Sequence, residues 1–305
     1  MKIILDLDTG IDDALALAYA VAHPDLELIG VTGTYGNVPV ALGVRNSLAL
    51  LELLDASDVP VFSGPTRPGF NVAPISAFIH GRNGLGEVLL PPPRRKAYED
   101  AVGFLVRSVR EHGEDLVIVP TGPSTSIAAA MREDPDFARN ARIVMMGGAL
   151  TVPGNVTPYA EANVFQDPQA TDYVFHHAQN LTMVGLDVTL RTLLTREHTK
   201  QWRGTRTGRI YADIVDYYIR AYKTTSPHLG GCGLHDPLAV AVAADPSLVT
   251  CLDLNLRCEE NGRTIGDPER LENPTTRVAV AVDDARFVED LMSKLGSLYT
   301  SILAC

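Results

Sequence analysis

Short apolar runs alternate with longer helical patterns from one end of this 305-residue chain to the other. The run Lys2 to Leu7 precedes a helical pattern from Asp12 to Ala22, and the runs Leu28 to Thr34 and Asp115 to Pro120 precede similar patterns. This alternation is typical of βαβ units. Several runs are continuous Val, Ile and Leu, as strands require when helices cover both faces of their sheet. The sequence therefore predicts an α/β fold, with an open, mostly parallel sheet and helices on both faces.

No repeat, low-complexity tract or charged linker divides the chain, so we expect one domain over residues 1–305. Two segments differ from the rest. Residues 64 to 97 are rich in proline and glycine around His80, and residues 223 to 235 contain Ser226-Pro227 and Gly230-Gly231 just before His235. Long loops in a compact domain are commonly functional. We interpret both segments as flaps over the functional site.

An acidic run follows the first predicted strand. Asp8 ends the strand, Gly10 permits a sharp turn, and Asp12 and Asp13 begin the next helix. Ligands of open α/β sheets bind at this edge. Three carboxylates held close together repel one another unless a cation lies between them, and oxygen ligands suit calcium or magnesium. Helix capping by Asp12 and Asp13 is the alternative, but it leaves Asp8 unexplained.

Two further junctions place polar groups at the start of a helix or the end of a strand. His235-Asp236-Pro237 precedes an apolar helical pattern, and Val119-Pro120-Thr121-Gly122-Pro123 ends a strand in a turn whose carbonyls are available to a cation. Taken alone, Asp236 is slightly better explained as a helix cap and His235 as an ordinary loop histidine.

Charge and hydropathy exclude several classes of partner. The chain has 26 Lys and Arg against 37 Asp and Glu, a formal charge of -11, which opposes general binding to nucleic acid or anionic membranes. No apolar stretch approaches the roughly 18 residues of a membrane span. We expect no secretory leader, because Met1-Lys2 is followed directly by the strand-like Ile3-Ile4-Leu5. We expect a cytoplasmic protein that binds a small neutral substrate. The four widely spaced cysteines, Cys232, Cys251, Cys258 and Cys305, are expected to be free thiols.

Eight motifs in register over most of the chain resemble the inosine-uridine preferring nucleoside hydrolase family. They are DLDTGIDDALAL from Asp6, Gly36-Asn37, HGRNGLG from His80, PTGP from Pro120, MGG from Met146, Gly154-Asn155, AEAN from Ala160 and HDP from His235. The resemblance implies hydrolysis of the N-glycosidic bond of purine or pyrimidine ribonucleosides to ribose and free base. It also implies an open α/β sheet and a homodimer or homotetramer.

The resemblance assigns residues to a calcium ion and to the ribose. It implies that Ca2+ is held by Asp8, Asp13, the Thr121 carbonyl and Asp236, and that the ion also takes two ribose hydroxyls and a water. The ribose hydroxyls would be bound by Asp12, Asn155, Glu161 and Asn163, with Asn37 beside Asp8. His80 would contact the ribose 5′-hydroxyl or the base, or be structural.

A mechanism follows from the same resemblance and from the chemistry of the residues. Asp8 is the expected general base for water, as in inverting glycosidases, and His235 is the expected acid for the leaving base because imidazole titrates near neutral pH. His235 could instead only position the base.

The sequence departs from the family pattern at three places. Thr9 stands where many members have proline, Ala162 stands where an aromatic residue is frequent, and the only tryptophan, Trp202, lies outside the motifs. These departures leave the preferred base open. A phosphatase of the haloacid dehalogenase type is disfavoured by Gly10, and a nucleoside-binding relative without activity is disfavoured because every motif carboxylate is present.

Overall fold

The computed structural model describes residues 1–302 and contains one large sheet. The strands are β1 Lys2–Leu7, β2 Glu27–Gly33, β3 Val61–Ser63, β4 Leu116–Pro120, β5 Arg142–Met146, β6 Leu181–Val184, β7 Leu193–Leu194, β8 Cys232–Gly233, β9 Val249–Leu254, β10 Leu256–Cys258, β11 Thr264–Gly266 and β12 Thr276–Val282. The large sheet has eight strands in the order β3-β2-β1-β4-β5-β6-β12-β9, and its strand pairs are parallel except β12 with β9. Strands β7 with β8 and β10 with β11 form two small antiparallel pairs.

Helices cover both faces of the sheet. They are α1 Ile11–Ala22, α2 Val40–Leu53, α3 Pro74–His80, α4 Ala101–His112, α5 Thr125–Glu133, α6 Pro135–Asn140, α7 Ala162–Gln166, α8 Pro168–His177, α9 Leu186–Thr189, α10 Arg196–Trp202, α11 Arg206–Thr225, α12 His235–Ala244 and α13 Asp284–Ser301. Successive residues of β1 contribute to different cores: Ile3 and Leu5 pack with α1, α2, α11, α12 and α13, whereas Ile4 packs with α4, α5, α6 and α8. The predicted fold class is therefore confirmed.

The strand order reverses between β1 and β4. Sequence-adjacent strands run outward from β1 in one direction and from β4 in the other, so the loops that follow these two strands diverge and leave a crevice. In open α/β sheets such a topological switch point is where ligands bind. Asp8 and Thr121, which follow β1 and β4, flank this crevice.

Several predicted elements have different bounds in the structure. The strand expected over residues 181 to 186 ends at Val184, because the chain then turns into α9 and Leu186 N donates to Gly148 O at 2.9 Å. The helix expected from Tyr98 begins at Ala101, since the Asp100 carboxylate accepts from Gly103 N and caps it there. Strand β9, the antiparallel edge of the sheet, was not predicted, because its burial does not follow a simple apolar run.

The two segments interpreted as flaps are only partly loops. Residues 64–97 contain helix α3, which begins at Pro74, and α11 continues into the second segment as far as Thr225 before a short 3-10 turn. Within the described residues no helix has the length and apolar character to cross a membrane. Cys232, Cys251 and Cys258 are free thiols, and Cys305 lies outside the described residues.

Candidate functional site

Four elements place polar groups at the crevice between β1 and β4. Asp8 follows β1, Asp12 and Asp13 lie in the first turn of α1, Thr121 follows β4, and Asp236 lies in the first turn of α12. All five residues are buried. The two helices also contribute the positive ends of their dipoles, which favour negative charge at this point. The structure thus brings together residues that are as much as 228 positions apart in the sequence.

Asn37 holds Asp8 and Asp13 against each other. Its backbone N donates to Asp8 Oδ2 at 2.7 Å, and its side-chain Nδ2 donates to Asp8 Oδ1 at 3.0 Å and to Asp13 Oδ2 at 3.3 Å. Asp13 also accepts from Gly10 N at 2.7 Å and from Thr121 Oγ1 at 2.8 Å. Burial and the neighbouring Asp13 carboxylate raise the pKa of Asp8 well above its usual range.

Carboxylates from α1 and α12 form a second cluster. Oxygen atoms of Asp12, Asp13 and Asp236 lie within 4.8 Å of one another, whereas Asp8 contacts this group through Asp13. Burial raises the pKa of Asp12 to about 8 and that of Asp236 well above its usual range, with further contributions from the neighbouring carboxylates. These buried carboxylates have few positively charged partners. A hard cation binds to oxygen ligands that carry uncompensated negative charge, so the cluster is suited to hold such an ion.

Asp12 has a carboxylate oxygen that can accept a hydrogen bond from a ligand hydroxyl. Its Oδ2 accepts from Tyr218 Oη at 3.3 Å, but its buried Oδ1 has no hydrogen-bond partner among the described residues. His80 Nδ1 lies 3.8 Å from that oxygen and accepts from Ile11 N at 3.1 Å. Burial lowers the pKa of His80 to about 3, so the ring is neutral at pH 7 and carries its proton on Nε2.

Asn163 and Glu161 are buried and occupy the N-terminal turn of α7. Asn163 Nδ2 donates to the Thr121 carbonyl at 2.7 Å and to the Met146 carbonyl at 3.2 Å, so its remaining polar atom for a ligand is Oδ1. Glu161 accepts from the backbone N of Gly148, Asn163 and Val164 at 2.9 to 3.1 Å. These bonds fix the AEAN segment against the end of β5.

Asn155 lies on the rim of the same cavity. Its Oδ1 accepts from Ala162 N at 3.0 Å, which leaves Nδ2 as the group that can donate to a ligand. Its backbone N donates to Ala160 O at 3.1 Å and closes the turn that carries it.

His235 lies at the start of α12 between two hydroxyl groups. Nδ1 is 2.8 Å from Thr189 Oγ1 and Nε2 is 2.6 Å from Tyr222 Oη. Burial lowers the pKa of His235 to about 4, so the imidazole is neutral at pH 7 with one nitrogen donating and the other accepting. Tyr222 in turn packs edge-on against Tyr218.

Sequence reasoning missed Tyr218, Tyr222 and Thr189. The tyrosines are four residues apart on α11, so they share one face of that helix, and both are buried. Tyrosines at helical spacing also suit an ordinary core, and only the contacts with Asp12 and His235 separate these two from core residues. Trp202, in contrast, is buried against Tyr299 away from the cavity.

Many of these residues line a cavity of about 420 Å³. Its lining combines polar residues, among them Asp12, Thr121, Asn163 and Asp236, with apolar residues such as Ile79 and Leu229. The volume lies in the range of small-molecule sites, and the mixed lining suits a ligand with a polyhydroxylated part and a flat, less polar part.

The comparisons with known proteins agree on one family. The family model described as inosine-uridine preferring nucleoside hydrolase matches residues 3–289. Probable uridine nucleosidase 2 of Arabidopsis thaliana is 36% identical over 96% of this chain and 97% of its own length. Pyrimidine-specific ribonucleoside hydrolase RihA of Enterobacter sp. (strain 638) is also 36% identical, over 97% of each protein.

Solved structures match along nearly the whole chain. The purine-preferring ribonucleoside hydrolase from Gardnerella vaginalis has a TM-score of 0.96 and 52% identity, over 99% of this chain and all of that one. A plant nucleoside hydrolase, PpNRh1, has a TM-score of 0.90 and 31% identity, over 97% of this chain and 99% of that one.

Proposed function

We propose that this chain, which belongs to the inosine-uridine preferring nucleoside hydrolase family and is therefore an N-glycosidase acting on ribonucleosides, depends on calcium and favours purine ribonucleosides. The observation that carries the proposal is the buried group of Asp12, Asp13 and Asp236, two of which line the cavity, together with the Tyr222–His235 pair, which also lines it.

Calcium suits the number and arrangement of the oxygen ligands. Asp8, Asp13, Asp236 and the Thr121 carbonyl would hold the ion. Calcium accepts six to eight oxygens in flexible geometry, whereas magnesium prefers near-ideal octahedral sites and keeps several waters. When bound, the ion would supply positive charge that increases the acidity of water and orients ribose hydroxyls.

The residues around the aspartates fit a ribose. Asp12 Oδ1 is a buried acceptor with no partner in the described chain, and it would accept a hydrogen bond from a sugar hydroxyl. Asn155 Nδ2 can donate and Asn163 Oδ1 can accept, while Glu161 has acceptor capacity beyond its three backbone bonds. His80 Nε2, which carries the ring proton, would donate to the 5′-hydroxyl.

Asp8 is the proposed general base. It would take a proton from the water that attacks C1′ of the ribose as the bond from C1′ to the base nitrogen breaks. Asn37 donates to both oxygens of this carboxylate and so fixes its orientation. An oriented base raises the rate because little rearrangement is needed in the transition state.

His235 is the proposed source of the proton for the departing base, with Tyr222 as its hydrogen-bonded partner. The imidazolium form of His235 would give its proton to the base nitrogen as the bond to C1′ breaks and return to neutral imidazole, while Asp8 keeps the proton of the attacking water. Burial lowers the pKa of His235 to about 4 and so makes the imidazolium rare at pH 7, whereas negative charge that develops on the leaving base favours it. Thr189 holds the other ring nitrogen and so keeps the ring in place.

A proton donor matters most for purines. The imidazole nitrogens of a purine accept a proton readily, and a protonated purine leaves more easily than the anion. Similarity supports the same preference, since the Gardnerella vaginalis protein, which is 52% identical, is named as purine-preferring. The relatives named for uridine or pyrimidines are 36% identical, so measurable cleavage of uridine is also expected.

The test is ribose release from inosine, adenosine, guanosine, uridine and cytidine, each measured with a chelator and after addition of calcium or magnesium. We expect release from all active substrates to stop with the chelator and to return with calcium, with a higher kcat/KM for inosine than for uridine. Asp8→Asn is expected to bind inosine and release no ribose.

Three results would contradict the proposal. Activity that persists in the chelator would exclude the cation, and a higher kcat/KM for uridine than for inosine would reverse the base preference. Binding without release from any nucleoside would favour the inactive relative that the sequence disfavours.

A further inference from the structure

Helix α9 is a single turn beside the cavity, and its two buried polar side chains bond to opposite parts of the site. Thr189 Oγ1 lies 2.8 Å from His235 Nδ1. Asp187, two residues earlier, is 2% exposed and accepts hydrogen bonds from the segment that carries Asn155. One short helix therefore contacts both the histidine proposed for the leaving base and the segment proposed for the ribose.

The Asp187 carboxylate makes three hydrogen bonds to two consecutive residues. Oδ2 accepts from Leu150 N at 2.9 Å, and Oδ1 accepts from Thr151 N at 2.7 Å and from Thr151 Oγ1 at 2.6 Å. A carboxylate has about four acceptor positions, so this group is close to saturated. It is not available to a substrate and has no part in the reaction steps described above.

Residues 147 to 161 depend on such contacts because they form no helix and pair only through an isolated bridge at Ala160. Glu161 fixes Gly148, and Asp187 fixes Leu150 and Thr151. The next residues, from Pro153 to Val156, line the cavity and include Asn155. Loss of the Asp187 bonds would free the segment on the side that leads directly to Asn155.

We propose that Asp187 is a positioning residue that holds residues 149–156 against helix α9 and thereby sets the place of Asn155 relative to His235. The kinetic consequence rests on the proposed function, since it requires Asn155 to bind the ribose. The hydrogen bonding of Asp187 to this segment does not depend on the proposed function, and its effect can be measured without turnover.

The first experiment measures hydrogen exchange in the full-length protein and in Asp187→Asn. Asparagine keeps the size of the side chain, but its amide group presents N–H to a backbone N–H. We expect exchange across residues 149–156 to become about tenfold faster or more, as for the loss of charge-assisted hydrogen bonds. Asp134→Asn is the matched control, because Asp134 is also buried and accepts from a backbone N but lies between α5 and α6, outside both α9 and residues 147–161.

The second experiment measures steady-state kinetics with inosine. Asp187→Asn is expected to raise KM about tenfold and to change kcat by less than about threefold, because a displaced Asn155 weakens ribose binding. In Asn155→Ala, the further change Asp187→Asn is expected to have little effect, since both substitutions remove the same contact. Thr151→Val, which removes only the Oγ1 bond, should move KM in the same direction by a smaller factor and is informative even when Asp187→Asn folds poorly.

The positioning role of Asp187 and the nucleoside hydrolase activity can fail independently. Exchange in Asp187→Asn and Thr151→Val that equals the control would overturn the hold on the segment, whether or not the enzyme is active. Effects of Asp187→Asn and Asn155→Ala on KM that multiply, or an unchanged KM in Asn155→Ala, would overturn the route through Asn155. A wild-type protein that releases no ribose would refute the proposed function, while the exchange experiment would still decide the role of Asp187.

Discussion

Gly36 packs so closely on Asp8 that a side chain has no room. A Cβ atom at this position would lie 1.9 Å from Asp8 Oδ2 and 2.8 Å from its carboxyl carbon. Gly36→Ala must therefore displace the carboxylate and the adjacent Asn37, which donates to it. We expect kcat/KM for inosine to fall about a hundredfold, the scale of a displacement of about 1 Å in a catalytic group.

Gly204→Ala is the matched control for that substitution. A Cβ at Gly204 meets no atom within 4 Å, so activity and thermal stability should both remain within error of the wild type. Equal activity of Gly36→Ala and Gly204→Ala would show that the placement of Asp8 does not limit the reaction.

The role of His235 can be separated from substrate binding by the choice of leaving group. His235→Ala should lower kcat/KM for inosine by about a hundredfold or more, the usual contribution of a general acid. It should affect p-nitrophenyl riboside far less, because p-nitrophenolate leaves without a proton. The measurement is the ratio of kcat/KM for the two substrates.

His80→Ala provides the comparison for His235→Ala. His80 is proposed to contact the ribose, which both substrates share, so its replacement should reduce kcat/KM for both by similar factors. If His235→Ala also affects both equally, His235 positions the substrate and is not the acid.

At the scale of single residues, the sequence could predict which polar side chains lie together in the site, but not the hydrogen bonds that they make. The strand and helix boundaries placed Asp8, Asp12, Asp13 and Asp236 at one edge of the sheet. The contact of Asn163 with the Thr121 carbonyl, and that of Thr189 with His235, depend on side-chain directions across 42 and 46 residues of sequence. No local pattern encodes those directions.

The elements that position the site were the most predictable part of the fold. Strand β1 and helix α1 have strong apolar patterns and a turn between them, so their bounds follow from local chemistry. Helix α9 is only one turn long and exists because the backbone at Gly185 packs against Gly148. Tertiary contacts of this kind define short elements that local periodicity cannot show.

Helix α13 is joined to α1 by a charged contact that gives a testable dependence on pH. Asp290 accepts hydrogen bonds from Lys294 and from Tyr19 of α1. Burial opposes ionisation, but these two partners outweigh it and lower the pKa of Asp290 below its usual range. The ionised carboxylate therefore stabilises the fold above the unfolded-state pKa of about 3.9, and this stabilisation is lost as pH falls through the lower folded-state pKa.

Asp290→Asn should lower the melting temperature at pH 7 by about 2 °C, since a partly exposed and solvent-screened pair contributes about 1 kcal/mol or less. The difference from the wild type should shrink below about pH 4. Asp253→Asn, on the exposed part of β9, is the control and should leave the melting temperature unchanged. A difference that stays constant from pH 7 to pH 3 would show that the ionised state of Asp290 is not what stabilises the contact.

At the scale of the whole molecule, the sequence predicted the layered α/β architecture because alternating strands and helices restrict the chain to few topologies. It did not predict the order of strands or the antiparallel edge strand β9, which depend on pairing between distant segments. The site lies where strand order reverses, between β1 and β4, so the crevice is a property of the whole topology and of no single motif.

The proposed cation should stabilise the whole fold, because its ligands come from β1, α1, α12 and the end of β4. Binding only to the folded state adds RT ln(1 + [L]/Kd), about 2.7 kcal/mol when calcium is at a hundredfold excess over Kd. We therefore expect the melting temperature of chelator-treated protein to rise by about 5 °C or more on addition of calcium. Asp236→Asn should lose most of this increase, because it removes the charge that α12 brings to the site, whereas Asp253→Asn should keep it. A melting temperature that does not respond to calcium at any concentration would mean that calcium does not hold the buried aspartates together.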